Sequence, residues 1–240
     1  RNKGTAAVDL RVPYVRSLYA GARSALRIGD VKVARRLSFT CIREDQERNS
    51  IDPVFKLGQG ARVCLLSGNL DAAERGARLA IEAPGPPARD YLYGLLAEIT
   101  LRRGDLPGAE AWIDVHVPAE RRTPALWRLQ GDIRFAAGRL EEARAAFRSS
   151  LLRDRAGRHL TLVRLGRVEL AAGKLAEATR AFEDARAFRR RTYMSDDPDA
   201  VAALAMVTEL REAQKPGIAK CAPPAAASNI RTGPSKSVGS

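Results

Sequence analysis

Two stretches thirty-five residues apart, "AGRLEEARAAF" (Ala137–Phe147) and "AGKLAEATRAF" (Ala172–Phe182), carry nearly the same eleven residues. Internal repetition at such a period is the signature of repeat architectures and governs how the rest of the chain is read. Aligned on the glycine of that stretch, five segments fall into register on Gly29, Gly68, Gly104, Gly138 and Gly173, with separations of 39, 36, 34 and 35 residues. Two positions after each glycine stands an apolar residue: Val31, Leu70, Leu106, Leu140, Leu175. Five after stands alanine every time: Ala34, Ala73, Ala109, Ala143, Ala178. Nine after come Ser38, Ala77, Ile113, Phe147 and Phe182. These offsets step by three and four, which is one face of an α-helix.

A second helix precedes each glycine. Eleven positions upstream are Leu18, Leu57, Tyr93, Trp127 and Leu162; seven upstream are the small residues Ala22, Ala61, Ala97, Gly131 and Gly166; three upstream are Leu26, Leu65, Leu101, Phe135 and Leu170. A small residue in mid-helix lets a neighbouring helix come close, and glycine suits the left-handed turn that ends a helix. Pro107 lies at the start of the following helix, where its missing N–H costs nothing. Each unit is therefore helix–turn–helix. Ala143 and Ala178 are expected to lie buried between the helices of their units, opposite Gly131 and Gly166.

This pattern resembles the tetratricopeptide repeat (TPR) family. Trp127, Gly131, Gly138, Ala143 and Phe147 fall at the family's signature positions, as do Leu162, Leu165, Gly166, Gly173, Ala178 and Phe182 in the last unit. The first three units are degenerate, and the closing proline is absent from most units, although Pro84 and Pro118 lie near its place. The resemblance covers about residues 13–190. It implies an all-α, right-handed superhelical solenoid of about five TPR-like repeats with a C-terminal capping helix. An unrelated helical bundle is the alternative architecture.

The expected organisation is an N-terminal extension over 1–12, the repeat array over 13–194, a capping helix over 195–214 and a disordered tail over 215–240. "DDPDAVAALAMVTELREAQ" supplies the cap: an aspartate before Pro198, then Val201, Leu204, Val207 and Leu210 at helical spacing. Arrays need such a terminal helix to cover their last open face. The Pro-, Ala-, Ser- and Gly-rich text after Lys215 lacks large apolar groups; a peptide that docks elsewhere is its other reading.

Lysine and arginine total 41 against 28 acids, a formal charge of +13, and arginine dominates the bases. The Arg-heavy, Ala-rich text suggests a bacterial source. No apolar run approaches a membrane span, and no signal-peptide pattern opens the chain. Because the chain opens on Arg1 rather than Met, it is expected to be a piece of something longer. The compartment expected is the cytoplasm, with the bacterial envelope or periplasm as the alternative if an anchor or signal was removed.

No catalytic constellation is legible. Cys41 and Cys64 read as small buried residues and Cys221 lies in the tail; no C-x-x-C pair suggests a metal or disulfide framework. His116 and His159 stand 43 residues apart with no H-E-x-x-H motif, and no Walker loop is present. The chain is not expected to be an enzyme or to hold a cofactor or metal.

The resemblance implies that the first helix of each unit lines a concave groove. Read by offset, that surface carries Arg16, Phe55 and Tyr91 thirteen before the glycine, and Tyr19 and Arg128 ten before. It carries Arg23, Arg62, Glu98, Asp132 and Arg167 six before, and Arg102 two before. Arginine and tyrosine together favour protein interfaces, and arginine clamps carboxylates. Some family members bind chaperone C-terminal carboxylates through a Lys/Asn/Arg clamp; the matching positions here are Tyr19, Arg23 and Arg62, without the Lys and Asn. The expected function is a non-catalytic scaffold or adaptor that binds a peptide or helix of another protein, acidic in character, and serves as an assembly factor for a multiprotein complex. The alternative is a basic helical repeat that binds nucleic acid. Glu98 and Asp132 interrupt the positive stripe such a function needs, so the protein partner is preferred.

Overall fold

The computed structural model describes residues 11–46, 51–84 and 89–214. Within them lie α1 (Arg11–Ile28), α2 (Val31–Glu44), α3 (Pro53–Leu66), α4 (Leu70–Glu82), α5 (Asp90–Arg102), α6 (Leu106–His116), α7 (Pro124–Ala136), α8 (Leu140–Arg153), α9 (Arg158–Ala171), α10 (Leu175–Tyr193) and α11 (Pro198–Gln214). One 3-10 turn, Ala119–Arg121, precedes α7, and there is no strand among the described residues. The architecture is an all-α helical repeat solenoid: five antiparallel hairpins, α1/α2 through α9/α10, with α11 packed on α9 and α10. The tail expected over 215–240, with Cys221, and the first ten residues of the expected extension lie outside the described residues.

The turn between the two helices of each hairpin is the same five times. Gly29, Gly68, Gly104, Gly138 and Gly173 all hold φ between 74 and 84°, a left-handed conformation open to glycine at little cost. In the first three units the next residue caps the second helix: Asp30, Asn69 and Asp105 accept from the backbone N–H of Val33, Ala72 and Gly108. Arg139 and Lys174 fill that slot in the last two units and make no cap bond.

The alanine five after each glycine is fully buried in all five units. In the last two units the small residue seven before the turn has a larger neighbour as well. A β-carbon on Gly131 would meet the Phe147 ring at 2.5 Å, and one on Gly166 would meet Phe182 at 2.5 Å. Those two glycines thus make room for the phenylalanines nine positions after the turn, which cluster with the buried Ala143 and Ala178. The aromatic ring fills a gap that an alanine seven upstream would close, and in the first three units the residue nine after the turn is correspondingly smaller.

The capping helix also shows a different inner face. Ala200, Ala203, Leu204 and Val207 pack against Leu162, Phe182 and Ala185, while Val201 and Leu210, expected inside, are exposed. Asp197 caps its start, accepting from the N–H groups of Asp199 and Ala200. Val207 is buried like Val63, Ile99, Ile133 and Val168, each five before its unit's glycine. Counted from Val207, Val201 and Ala205 match the large and small positions of a first helix. Glu209 then stands where the earlier units have Leu65, Leu101, Phe135 and Leu170.

Cys41 is buried and Cys64 only partly so, against the expectation for the latter; both are free thiols. Burial pushes the Cys64 thiol above its ordinary value, against the opposing pull of Arg35 and Arg75. No group of three or more potential metal ligands occurs among the described residues, and no described helix is long and apolar enough to cross a membrane.

Candidate functional site: a groove in two electrostatic states

The first helices α1, α3, α5, α7 and α9 lie side by side, and their shared surface holds two adjoining cavities. One, of about 270 Å³, is lined by Tyr19, Phe55, Tyr91 and Leu95 together with Arg23, Arg27 and Arg62. The other, of about 400 Å³, adds Glu98, Arg102, Arg128, Asp132 and Arg164. Of the residues expected in the groove, all but Arg16 and Arg167 line one cavity or the other. Arg16 is exposed on α1 beyond the cavities. Arg167 turns toward the cap, 3.9 Å from Asp199.

The aromatic floor is fixed from below. Tyr91 donates its hydroxyl to the Val54 carbonyl at 2.9 Å, and its ring lies nearly parallel to Phe55 at 6.1 Å. Gly58 makes this possible: a β-carbon there would stand 2.5 Å from the Tyr91 hydroxyl oxygen. Burial pushes the Tyr91 and Tyr19 hydroxyls above their ordinary ionisation range, so both rings are neutral at any physiological pH. The Arg23 guanidinium lies 5.9 Å from the Tyr19 ring centroid, a cation–π distance.

The two cavities differ in how their arginines are occupied. In the second, Arg102 donates to the Leu65 carbonyl at 2.8 Å and to Glu98 at 2.9 Å. Arg164 donates to both Asp132 oxygens at 2.9 Å, and Arg128 is ion-paired with Asp154. Burial pulls the Asp132 carboxyl upward, against the neighbouring Arg164 guanidinium that favours its charged form. In the first cavity, Arg23, Arg27 and Arg62 are exposed and have no carboxylate partner among the described residues.

Sequence reasoning missed Leu26, Gln59, Leu95 and Arg164 in this surface. The last three sit nine before their glycines, four residues on from the thirteen-before positions that were read. One more helical turn on the same face would have found them.

No protein-family model matches the chain, and no curated protein matches it. Solved structures do. A thermophilic TPR protein from Thermus thermophilus superposes with a TM-score of 0.67 at 17% identity, over 81% of this chain and 99% of that one. A tetratricopeptide repeat protein from Parabacteroides merdae gives 0.65 at 16% identity, over 81% and 71% of the two chains. The Cut9–Hcn1 hetero-tetramer of the APC/C gives 0.66 at 16% identity; the match covers 82% of this chain but only 37% of that one. With five glycine-turned hairpins, buried alanines in register and these superpositions, the chain folds as a TPR-like repeat array.

Proposed function

We propose that this chain is a non-catalytic scaffold that holds an acidic peptide or helix of a partner protein in its concave groove, and that it serves the assembly of a multiprotein complex in the cytoplasm. The observation that carries this is the first cavity: an apolar, aromatic floor ringed by three arginines, none with a carboxylate partner among the described residues. Its volume lies just below the ~300–1,000 Å³ of small-molecule sites, which suits one bulky side chain of a longer segment. The chain's own tail is a poor occupant, because residues 215–240 carry Lys215, Lys220, Arg231 and Lys236 and no acid.

Nucleic acid is the second reading, favoured by the formal +13. A strand crossing the groove would meet Glu98 and Asp132, which line its second cavity. The test is to identify a partner by pull-down and mass spectrometry, then measure its affinity for Arg23→Glu/Arg62→Glu at two salt concentrations. The expected loss is about 2 kcal/mol or more, shrinking for the parent as salt rises. Unchanged binding at both salts would remove the groove from the mechanism. Tight binding of a single-stranded oligonucleotide in place of any protein would favour the second reading.

A further inference from the structure

Away from the groove, the stretch "LLRDRAGR" (Leu151–Arg158) joins α8 to α9. Its residues and Phe188 of α10 wall a shallow recess of about 380 Å³. Arg153, Arg155 and Arg158 are all exposed there, and none has a carboxylate partner among the described residues. The acid in their midst is withdrawn: Asp154 is buried, ion-paired with Arg128, and accepts from the Gly157 N–H at 2.7 Å. The end of α10 is tied to the same edge, since Tyr193 donates its hydroxyl to the Ala156 carbonyl at 2.9 Å. The acids that follow are also occupied, Asp196 by Arg186 and Arg190 and Asp197 by Arg189.

The two most exposed large apolar side chains among the described residues lie at this edge: Leu152 at 87% and Met194 at 92%. Met194 is also the one described non-glycine residue at positive φ, 56°, where a bulky side chain is disfavoured. It is the left-handed C-cap of α10, its N–H donating to the Arg190 carbonyl at 3.1 Å, and its side chain is left in the open. Isolated exposed apolar residues are ordinary; here Leu152 lines the recess beside the three arginines and Met194 follows Tyr193, which is bonded to the same connection.

We propose that this edge docks on an anionic lipid bilayer surface, with Arg153, Arg155 and Arg158 on headgroup phosphates and the Leu152 and Met194 side chains in the interfacial apolar layer. A bilayer surface supplies both chemistries together, headgroup phosphates for the guanidiniums and an apolar layer just beneath them for the two side chains. Nucleic acid phosphates would satisfy the arginines but leave both tips in water. The recess shares no lining residue with the two groove cavities, although its Asp154 is ion-paired with Arg128 of the groove.

The test uses the full chain and sedimentation with vesicles of phosphatidylcholine alone, or mixed in equal parts with phosphatidylglycerol. The parent is expected to partition onto the mixed vesicles and to ignore the neutral ones. Arg155→Glu/Arg158→Glu should lower that partition roughly thirty-fold, from the free energy of each base near an anionic surface. Arg35→Glu/Arg36→Glu on α2 makes the same change of charge three units away and should cost no more than about three-fold, because screening confines the attraction to the nearest charges. Leu152→Asn/Met194→Asn leaves the charge alone and should cost roughly ten-fold. Circular dichroism should be unchanged in all three, since every replaced side chain is exposed. The idea is overturned if the parent ignores mixed vesicles or if the α2 variant loses as much as the edge variant. It is also overturned if the Leu152/Met194 variant binds like the parent, which would leave plain counter-charge attraction that an acidic protein or nucleic acid serves as well.

Discussion

The two ends of the groove use the same residue for opposite purposes. Toward the C-terminal units, arginine is a strut: Arg102 reaches from α5 to the Leu65 carbonyl of α3, and Arg164 from α9 to Asp132 of α7. Each ties one first helix to the one before it and is neutralised as it does so. Toward the N-terminal units, Arg23, Arg27 and Arg62 project over an aromatic floor and tie nothing. A count of arginines would rank the two ends alike. What separates them is the location of the nearest carboxylate, and that decides which end has charge left for a partner.

Several substitutions would break or sharpen that contrast. The largest effect is expected where the strut is most buried. Arg144 and Glu169 are 5% and 9% exposed and share two hydrogen bonds of 2.7 Å. Glu169→Ala leaves the buried guanidinium with the exposed Glu141 as its one remaining carboxylate partner among the described residues and should cost about 3 kcal/mol in urea unfolding; a loss below about 1 kcal/mol would mean that the Glu141 pair or water suffices. The same pair predicts an acid sensitivity. Hydrogen bonds from Arg144 hold the Glu169 carboxyl below its ordinary value, so its stabilisation is fully present above the usual carboxylate range of about 4.3 and is lost as pH falls through the lower folded value. A pH series of urea midpoints should fall more steeply below about pH 4.5 for the parent than for Glu169→Gln.

Next in size is Asp154→Asn, which weakens the pair with Arg128 and should cost about 1–2 kcal/mol, read by thermal unfolding. Asp132→Asn should cost no more than about 1 kcal/mol, since its pair is a third exposed. Its informative readout is binding. Freeing Arg164 makes the second cavity resemble the first, so affinity for an acidic partner segment should rise, and a fall would sink the account of the two states. Smallest of all is Arg23→Ala/Arg62→Ala, expected to leave stability within about 0.5 kcal/mol because neither side chain holds anything in place. A large loss would show that these arginines are struts too.

The repeat was legible because its determinants are local. The left-handed glycine, the alanine five residues on and the apolar residues at steps of three and four all report on one hairpin at a time. The aromatic and arginine positions of the groove were legible for the same reason, since they recur at fixed offsets. The pairing was not. Asp132 and Arg164 lie 32 residues apart, Arg128 and Asp154 26, and Arg144 and Glu169 25. The first and last pairs span units and the second joins the start of one hairpin to its end at Asp154; in each, the offset within the unit differs at the two ends. Phe147 in the niche of Gly131 was missed on similar grounds: a small residue announces close approach but not which neighbour approaches. The inner face of α11 was misjudged because that helix is apolar on two sides, and only the neighbours in space, Phe182 and Ala185, choose between them.

Glu209 has a consequence for how far the stack can grow. Every earlier first helix offers a large apolar residue at that position to its own second helix, and so recruits one. At Glu209 an exposed carboxylate stands there instead, so the seam that joins first helix to second helix in the five hairpins is not repeated at that point of α11. A leucine at 209 would restore the apolar contact that Leu65, Leu101, Phe135 and Leu170 make in their own units.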